Sequence, residues 1–270
     1  MKIKESPLID SLLVQNQKIE VEWHRGDSNK PTLVFLHEGL GCTSLWKEFP
    51  FTLSQMTQCN AFVFSRPGYG KSDPCTLPWK INFMHAQAMK FIPAVLRAAE
   101  ILDHVIIGHS DGGSMGIVYA GSSHANRLKG LITMAAHVFC EAITLEAIRE
   151  AKNQYLHHDL KNRLEKYHGP NTKNAFWGWN NLWLTPGFVH WNIQKYLNRI
   201  KVPMQAIQGR QDQYGTPAQL TAIASGVMDC ETHLIEHCRH APHQDQKETI
   251  LKLMAGYIQK ILDSSRSQLF

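Results

Sequence analysis

The chain has 270 residues, of which 43% are hydrophobic and 19% charged, enough apolar material for a sizeable core and too much for a disordered class. Its 28 Lys and Arg against 23 Asp and Glu give a formal charge of +5, scattered without a run of five like charges. No basic stripe or arm therefore marks a nucleic-acid partner.

Six cysteines, at positions 42, 59, 75, 140, 230 and 238, form no CxxC pair, a spread that fits free thiols in a reducing compartment better than a disulfide framework. The opening MKIKESPLIDSLLV has two lysines but no sustained apolar core, which makes a poor secretory signal. No stretch approaches the roughly 18 consecutive apolar residues of a membrane span. The expectation is a soluble cytoplasmic α/β domain with an insertion.

In chain order, strands are expected near 11–15 and 19–24, with Asn16-Gln17 between them as the turn of a hairpin. A strand near 32–37 (TLVFLH), a helix near 45–57 and a strand near 61–65 (AFVFS) follow. The next helix covers 83–101, where Pro93 should introduce a kink. A strand at 104–109, a helix at 111–123 and a strand at 129–135 complete the first part. After residue 199 come a strand at 203–209, a helix at 216–226, a strand at 231–236 and a helix at 244–263. Alternation of strand and helix from residue 32 onward predicts a mostly parallel sheet covered on both faces, and the later strands are near-continuous apolar runs, as doubly covered strands should be.

Residues 137–199 break this rhythm. They are helix-like and crowded with aromatics, with Trp177, Trp179, Trp183 and Trp191 inside fifteen positions. The expected organisation is a core formed by 1–136 and 200–270, with 137–199 as a helical cap inserted over one end of the sheet.

The chemistry concentrates at strand ends. A serine nucleophile needs a turn too sharp for ordinary neighbours, with small residues two positions to either side and a helix N-terminus behind it. Gly108-His109-Ser110-Asp111-Gly112, between an apolar strand and a helix, meets that pattern; otherwise Ser110 is a small residue in a tight turn. A base and an orienting acid should follow in the order Asp or Glu, then His. The strand PMQAIQG runs into Arg210-Gln211-Asp212, and the strand ETHLIE runs into HCRHAPHQDQ. Three required residue types thus lie at strand ends in the required order.

On these motifs the chain resembles the α/β-hydrolase family over nearly all of its length. LVFLHEGLG is similar to the family's strand and oxyanion loop, SRPGYGKSD to its RGxGxS loop, and IGHSDGG to its nucleophile elbow. QGRQDQYGTP resembles the acid loop and CRHAPHQDQKE the histidine loop. The resemblance implies an α/β-hydrolase fold, with Ser110 as nucleophile, Asp212 as acid, His240 as base, and no cofactor or metal. It implies an oxyanion hole made by the backbone N–H groups of Gly39 (or Leu40) and Asp111.

Rival readings narrow the assignment. Glu141 competes with Asp212 as the acid. His233, His237, His240 and His243 lie close enough together to suggest a metal, but without carboxylate or Cys partners at a consistent spacing. GYGKS lacks the earlier glycine of a phosphate-binding loop, because Ser65 stands there, and GLGCTS lacks the third glycine of a dinucleotide fingerprint. Serine at the elbow argues against relatives that attack with carboxylate. Glu38 occupies a position where the family has glycine; it should turn away from the oxyanion or be held by a cation, bracing its loop. Trp177, Trp179 and Trp183 either pack a core or line an apolar pocket over Ser110. Asp111 either contacts a cationic or polar substrate group, as implied by relatives carrying SDGG that act on amino-acid esters, or caps its own helix. The expected reaction is hydrolysis of a carboxylic ester or thioester of a small-molecule acyl substrate through an acyl-enzyme. Cleavage of a C–C bond in a β-diketone-like substrate and a non-catalytic receptor on the same scaffold remain alternatives.

Overall fold

The computed structural model describes residues 8–267. Its eight strands are β1 (Leu8–Val14), β2 (Gln17–His24), β3 (Thr32–Leu36), β4 (Ala61–Phe64), β5 (His104–His109), β6 (Leu128–Met134), β7 (Met204–Gly209) and β8 (Cys230–Ile235). They form one sheet in the order β1-β2-β4-β3-β5-β6-β7-β8. β1 and β2 are antiparallel to their neighbours, and the other strands run parallel. β3 lies between β4 and β5, so strand order reverses beside it. The crevice outside the carboxyl ends of β3 and β5 is where such a sheet receives ligands.

The parallel strands alternate between two buried faces. Leu33 and Phe35 of β3 and Val105 and Ile107 of β5 pack with α1 (Phe49–Thr57) and α10 (Lys247–Ser267). Val34, Leu36 and Ile106 pack on the other side with α2 (Phe83–Ala86), α3 (Ile92–Ala98), α4 (Asp111–Ala120) and, near the far edge, α8 (Ala218–Gly226). Complete burial of β3, β4, β5 and β7 explains why these strands read as apolar runs, each large side chain contributing about 1.5–3 kcal/mol, whereas the edge strand β8 is mostly half-buried and carries polar residues. The short α9 (Pro242–Asp245) precedes α10.

Two local expectations are corrected. The hairpin turn is Gln15-Asn16, not Asn16-Gln17: Val14 pairs with Gln17, and both turn residues have positive φ, at 51° and 64°. That geometry matches the right-handed twist of the strands it joins. The expected kink at Pro93 is instead a π turn over Gln87–Phe91 between α2 and α3. The widened turn comes just before the residue that cannot donate, and Pro93 sits in the first turn of α3, where its missing N–H costs little.

Between β6 and β7 the chain is helical: α5 (Ala142–His157), α6 (Leu160–His168) and α7 (Thr172–Trp183), followed by short 3₁₀ turns. Tyr155 of α5 stacks on Phe176 of α7 at 3.7 Å between ring centroids, and Asn180 Nδ2 donates to Ile148 O at 2.9 Å. All six cysteines carry free thiols, and among the described residues no helix is long and apolar enough to cross a membrane.

A left-handed Gln15 costs about 1–2 kcal/mol, against about 0.5–1 kcal/mol for the extra unfolded-state freedom of glycine. Gln15→Gly should therefore stabilise the chain by about 0.5–1 kcal/mol, read as a higher urea midpoint at unchanged slope. A lower midpoint contradicts the strain.

Candidate active site

β5 ends at His109, and the next residue, Ser110, stands at φ 51° and ψ −118° before α4 begins. A non-glycine residue here costs about 1–3 kcal/mol and persists only where its surroundings over-determine it. Ser110 N–H donates to Met134 O at 2.8 Å, and Ser114 N–H donates to Ser110 O at 2.9 Å. The flanking glycines are sterically required. A Cβ on Gly108 would lie 2.5 Å from Gly112 O, and one on Gly112 would lie 2.1 Å from Leu36 O. The turn presses the elbow against the end of β3, where the oxyanion-type loop begins.

Ser110 meets its expected partners. His240 Nε2 lies 2.9 Å from Ser110 Oγ, while His240 Nδ1 lies 2.8 and 3.0 Å from the two carboxylate oxygens of Asp212. The carboxylate can only accept, so Nδ1 carries the proton and Nε2 is free to receive one from the serine. Asp212 also accepts the Tyr214 N–H at 2.8 Å. Burial works to raise its pKa, but the charge and hydrogen bond of His240 prevail and hold it below the usual aspartate value. The loops carrying Asp212 and His240 approach closely: a Cβ on Gly209 would lie 2.2 Å from Arg239 O, and Gln211 N–H donates to Cys238 O at 2.9 Å.

The rival residues are engaged elsewhere. Glu141 accepts from the Thr216 hydroxyl and N–H and from Gln219 Nε2, bracing the start of the helical insertion against the acid loop. His233 pairs with Glu231 at 2.8 Å, His237 occupies a turn at φ 52°, and His243 is buried against Trp46 and Phe49.

Residues 37–40 form a loop whose carbonyls are all held. Arg66 donates to His37 O and, at 3.0 Å, to Glu38 O; Tyr69 Oη donates to Gly39 O at 2.9 Å. His168 accepts the Gly70 N–H on Nδ1, which leaves its Nε2–H to donate to Leu40 O at 3.0 Å. His37 accepts the Arg66 N–H on Nε2 and donates from Nδ1 to Glu38 O. Burial lowers the pKa of both His37 and His168, consistent with these neutral tautomers. Asp111 opens α4, so its N–H has no acceptor within the helix. The Glu38 side chain reaches His109, Oε2 to Nδ1, at 3.3 Å.

A cavity of about 120 Å³ lies over Ser110, walled by Glu38, Gly39, Leu40, Asp111, Trp179, Trp183 and other side chains. Trp179 covers Gly39 so closely that a Cβ there would lie 2.2 Å from its ring. Trp177, grouped with these two from sequence, is not among the walls. It packs edge-on against Tyr155 and Phe176, with Lys152 Nζ 5.8 Å from its ring centroid. Trp179 and Trp183 are four positions apart and share a helix face, whereas Trp177 is two positions from Trp179 and points elsewhere.

The cavity also takes in His137, Thr144, Ile148 and Tyr214, which sequence reasoning missed. Tyr214 follows Asp212 by two residues and His137 lies three past the end of β6, so strand-end position was the available signal. Burial, reinforced by His240, lowers the His137 pKa to about 3. Asp111 is 2% exposed, and its Oδ1 accepts the Trp183 indole N–H at 3.2 Å; burial pushes its pKa up to about 6.

Residues 33–252 match the model of a family described as the alpha/beta hydrolase family. Over 78 residues the chain is 23% identical to human (Homo sapiens) monoacylglycerol lipase ABHD6, which covers 29% of this chain but only 23% of that protein. Among solved structures, VinJ superposes with a TM-score of 0.71 at 20% identity, over 95% of this chain and 100% of that one. The enol-lactonase from Burkholderia xenovorans LB400 gives 0.73 at 16% identity, over 93% and 100%.

The elbow predicts its own sensitivity. Gly112→Ala places a methyl against Leu36 O and should destabilise the chain by about 1–3 kcal/mol, measured by urea denaturation. An unchanged midpoint contradicts the close approach.

Proposed function

The chain belongs to the alpha/beta hydrolase family, and we propose that it is a serine hydrolase cleaving a carboxylic ester or thioester with a short acyl group. The observation that carries this reading is the unbroken relay from Ser110 through His240 to Asp212 beneath the cavity. His240 takes the Ser110 proton as Oγ attacks the substrate carbonyl carbon. The oxyanion of the tetrahedral intermediate is met by the backbone N–H groups of Gly39 and Asp111, each such donor being worth about 10²–10³ in rate. Protonated His240 gives its proton to the leaving oxygen or sulfur, leaving an acyl-serine. Water, deprotonated by His240, then releases the acid. Residues 137–199 act as a cap, supplying Trp179 and Trp183 to the acyl pocket.

Cavity size supports a short acyl group. An enclosed cavity of about 150 Å³ accommodates benzene, so the ~120 Å³ directly over Ser110 suits a small group, while the open side of this cavity leaves the rest of the substrate outside it.

Asp111 points to the character of that group. A carboxylate serving only the helix N-terminus would be stabilised in its charged form, whereas burial here pushes its pKa up to about 6. Its side chain opens on the cavity beside two indoles, a setting that suits an ammonium or other strong donor on the acyl group. Glu38, also in the wall, is directed to His109.

Fluorophosphonate should label Ser110 in the wild-type chain, and Ser110→Ala should abolish labelling and lower kcat toward p-nitrophenyl acetate on the order of 10⁶-fold. Tight ligand binding without labelling or turnover would instead mark a receptor. For Asp111, the diagnostic is the ratio of kcat/KM for an ammonium-bearing p-nitrophenyl ester over its neutral isostere, which cancels every pH effect the two esters share. Asp111→Asn should cut this ratio about ten- to a hundredfold. In the wild type the ratio should fall as pH drops through about 6, because protonated Asp111 no longer attracts a cation. An unchanged ratio leaves Asp111 only its place at the start of the helix.

A further inference from the structure

We propose that Glu38 and His109 form a carboxylate–imidazolium pair that positions the base-bearing loop and cancels a negative charge beside the oxyanion donors. The inference rests on the serine-hydrolase reading above and assigns two positioning residues to the reaction. His109 is the residue before Ser110, 2% exposed, and both of its ring nitrogens face oxygen. Nε2 lies 2.7 Å from the backbone carbonyl of His240, and Nδ1 lies 3.3 Å from Glu38 Oε2. A carbonyl and a carboxylate only accept, and a neutral imidazole has one N–H to give. Satisfying both requires the doubly protonated ring.

The electrostatic surroundings agree. Burial works against charge on His109, but the Glu38 hydrogen bond and charge outweigh it and raise the pKa. Burial likewise disfavours the Glu38 carboxylate, and the hydrogen bond and charge of His109 hold it well below the usual range. The other groups around His109 are His240, with its ring centroid 5.3 Å away, His243 at 4.8 Å, and His137, Asp111 and Asp212, each electrostatically coupled to it. Burial, with the charge on His109 adding to it, lowers His243 to about 3. One cation is thus selected from a cluster of imidazoles.

The pair meets two needs of the proposed mechanism. Glu38 immediately precedes Gly39, and its carboxylate lies over Gly41, where a Cβ would come within 2.4 Å of Oε2. An unneutralised carboxylate there would repel the oxyanion, whereas the imidazolium cancels it. The Nε2 bond also ties the elbow to the main chain of His240, whose ring must stay within reach of Ser110 Oγ. Elbow, oxyanion loop and base loop are therefore joined through one ring.

The test is a double-mutant cycle on the full chain with p-nitrophenyl acetate at pH 7.5. His109→Leu leaves the Glu38 carboxylate unpaired and should lower kcat at least 100-fold with KM within threefold. Glu38→Gln alone should lower kcat less, and it should move the alkaline limb of kcat to lower pH, because His109 without its counter-ion loses its proton sooner. The double variant Glu38→Gln/His109→Leu should regain at least tenfold over His109→Leu. Purely additive losses, or an unmoved alkaline limb in Glu38→Gln, overturn the proposal. Should His109→Leu fail to fold, ¹⁵N-histidine NMR of the wild type decides: both His109 nitrogens protonated at pH 7.5 is the expected result, and a neutral ring overturns the pair. If His109 is doubly protonated but Ser110 does not label with fluorophosphonate, the hydrolase reading fails and the positioning role with it, while the ion pair stands.

Discussion

Everything at the carboxyl edge of this sheet depends on one backbone constraint, the left-handed conformation of Ser110 between Gly108 and Gly112. The conformation is unfavourable in isolation. It survives because β6 accepts its N–H, α4 donates to its carbonyl, and the end of β3 leaves no room for a side chain at Gly112. A helix start, a serine hydroxyl and the loop after β3 are thereby brought together. The same contact ties the elbow to residues 37–40, so the serine and its facing amides are held as one unit.

The second organising feature is that polar groups in this region are satisfied in a directed way. The carbonyls of residues 37–40 are occupied from behind by Arg66, Tyr69, His37 and His168. His168 ends α6, so the helical insertion itself helps to fix the loop. In a poorly solvated site such preformed dipoles need no reorganisation during a reaction. The histidines illustrate how context sets protonation. His37 and His168 each have one nitrogen facing a donor and the other an acceptor, which calls for a neutral ring, whereas His109 faces two acceptors.

The sequence was most informative where chemistry is written locally. Ser110, Asp212 and His240 each stand just beyond an apolar strand, so their order and the fold were readable from short motifs. The tryptophans were less so, because only the helical phase of α7 separates Trp179 and Trp183 from Trp177. His137 and Tyr214 enter the cavity through loops that follow β6 and β7, so their strand-end position was the available signal and only the tertiary path of those loops shows which way they face. The π turn before Pro93 is a backbone solution to a local conflict that residue preference states but does not resolve. The partner of Glu38 could not be named from its loop, since His109 is 71 residues away.

The two carboxylates in the cavity wall make the charge logic specific. A site that builds negative charge on an oxygen should not keep bare anions beside it. Glu38 meets this requirement, in the proposed pair, through its contact with His109. Asp111 accepts an indole N–H from Trp183, and its pKa is pushed up to about 6 by burial. The buried Arg66 opposes that shift, so under the proposed reading a positively charged acyl substituent would add to a compensation the fold has begun. Under the proposed reading, one carboxylate is thus turned to a partner within the fold while the other faces whatever enters the cavity.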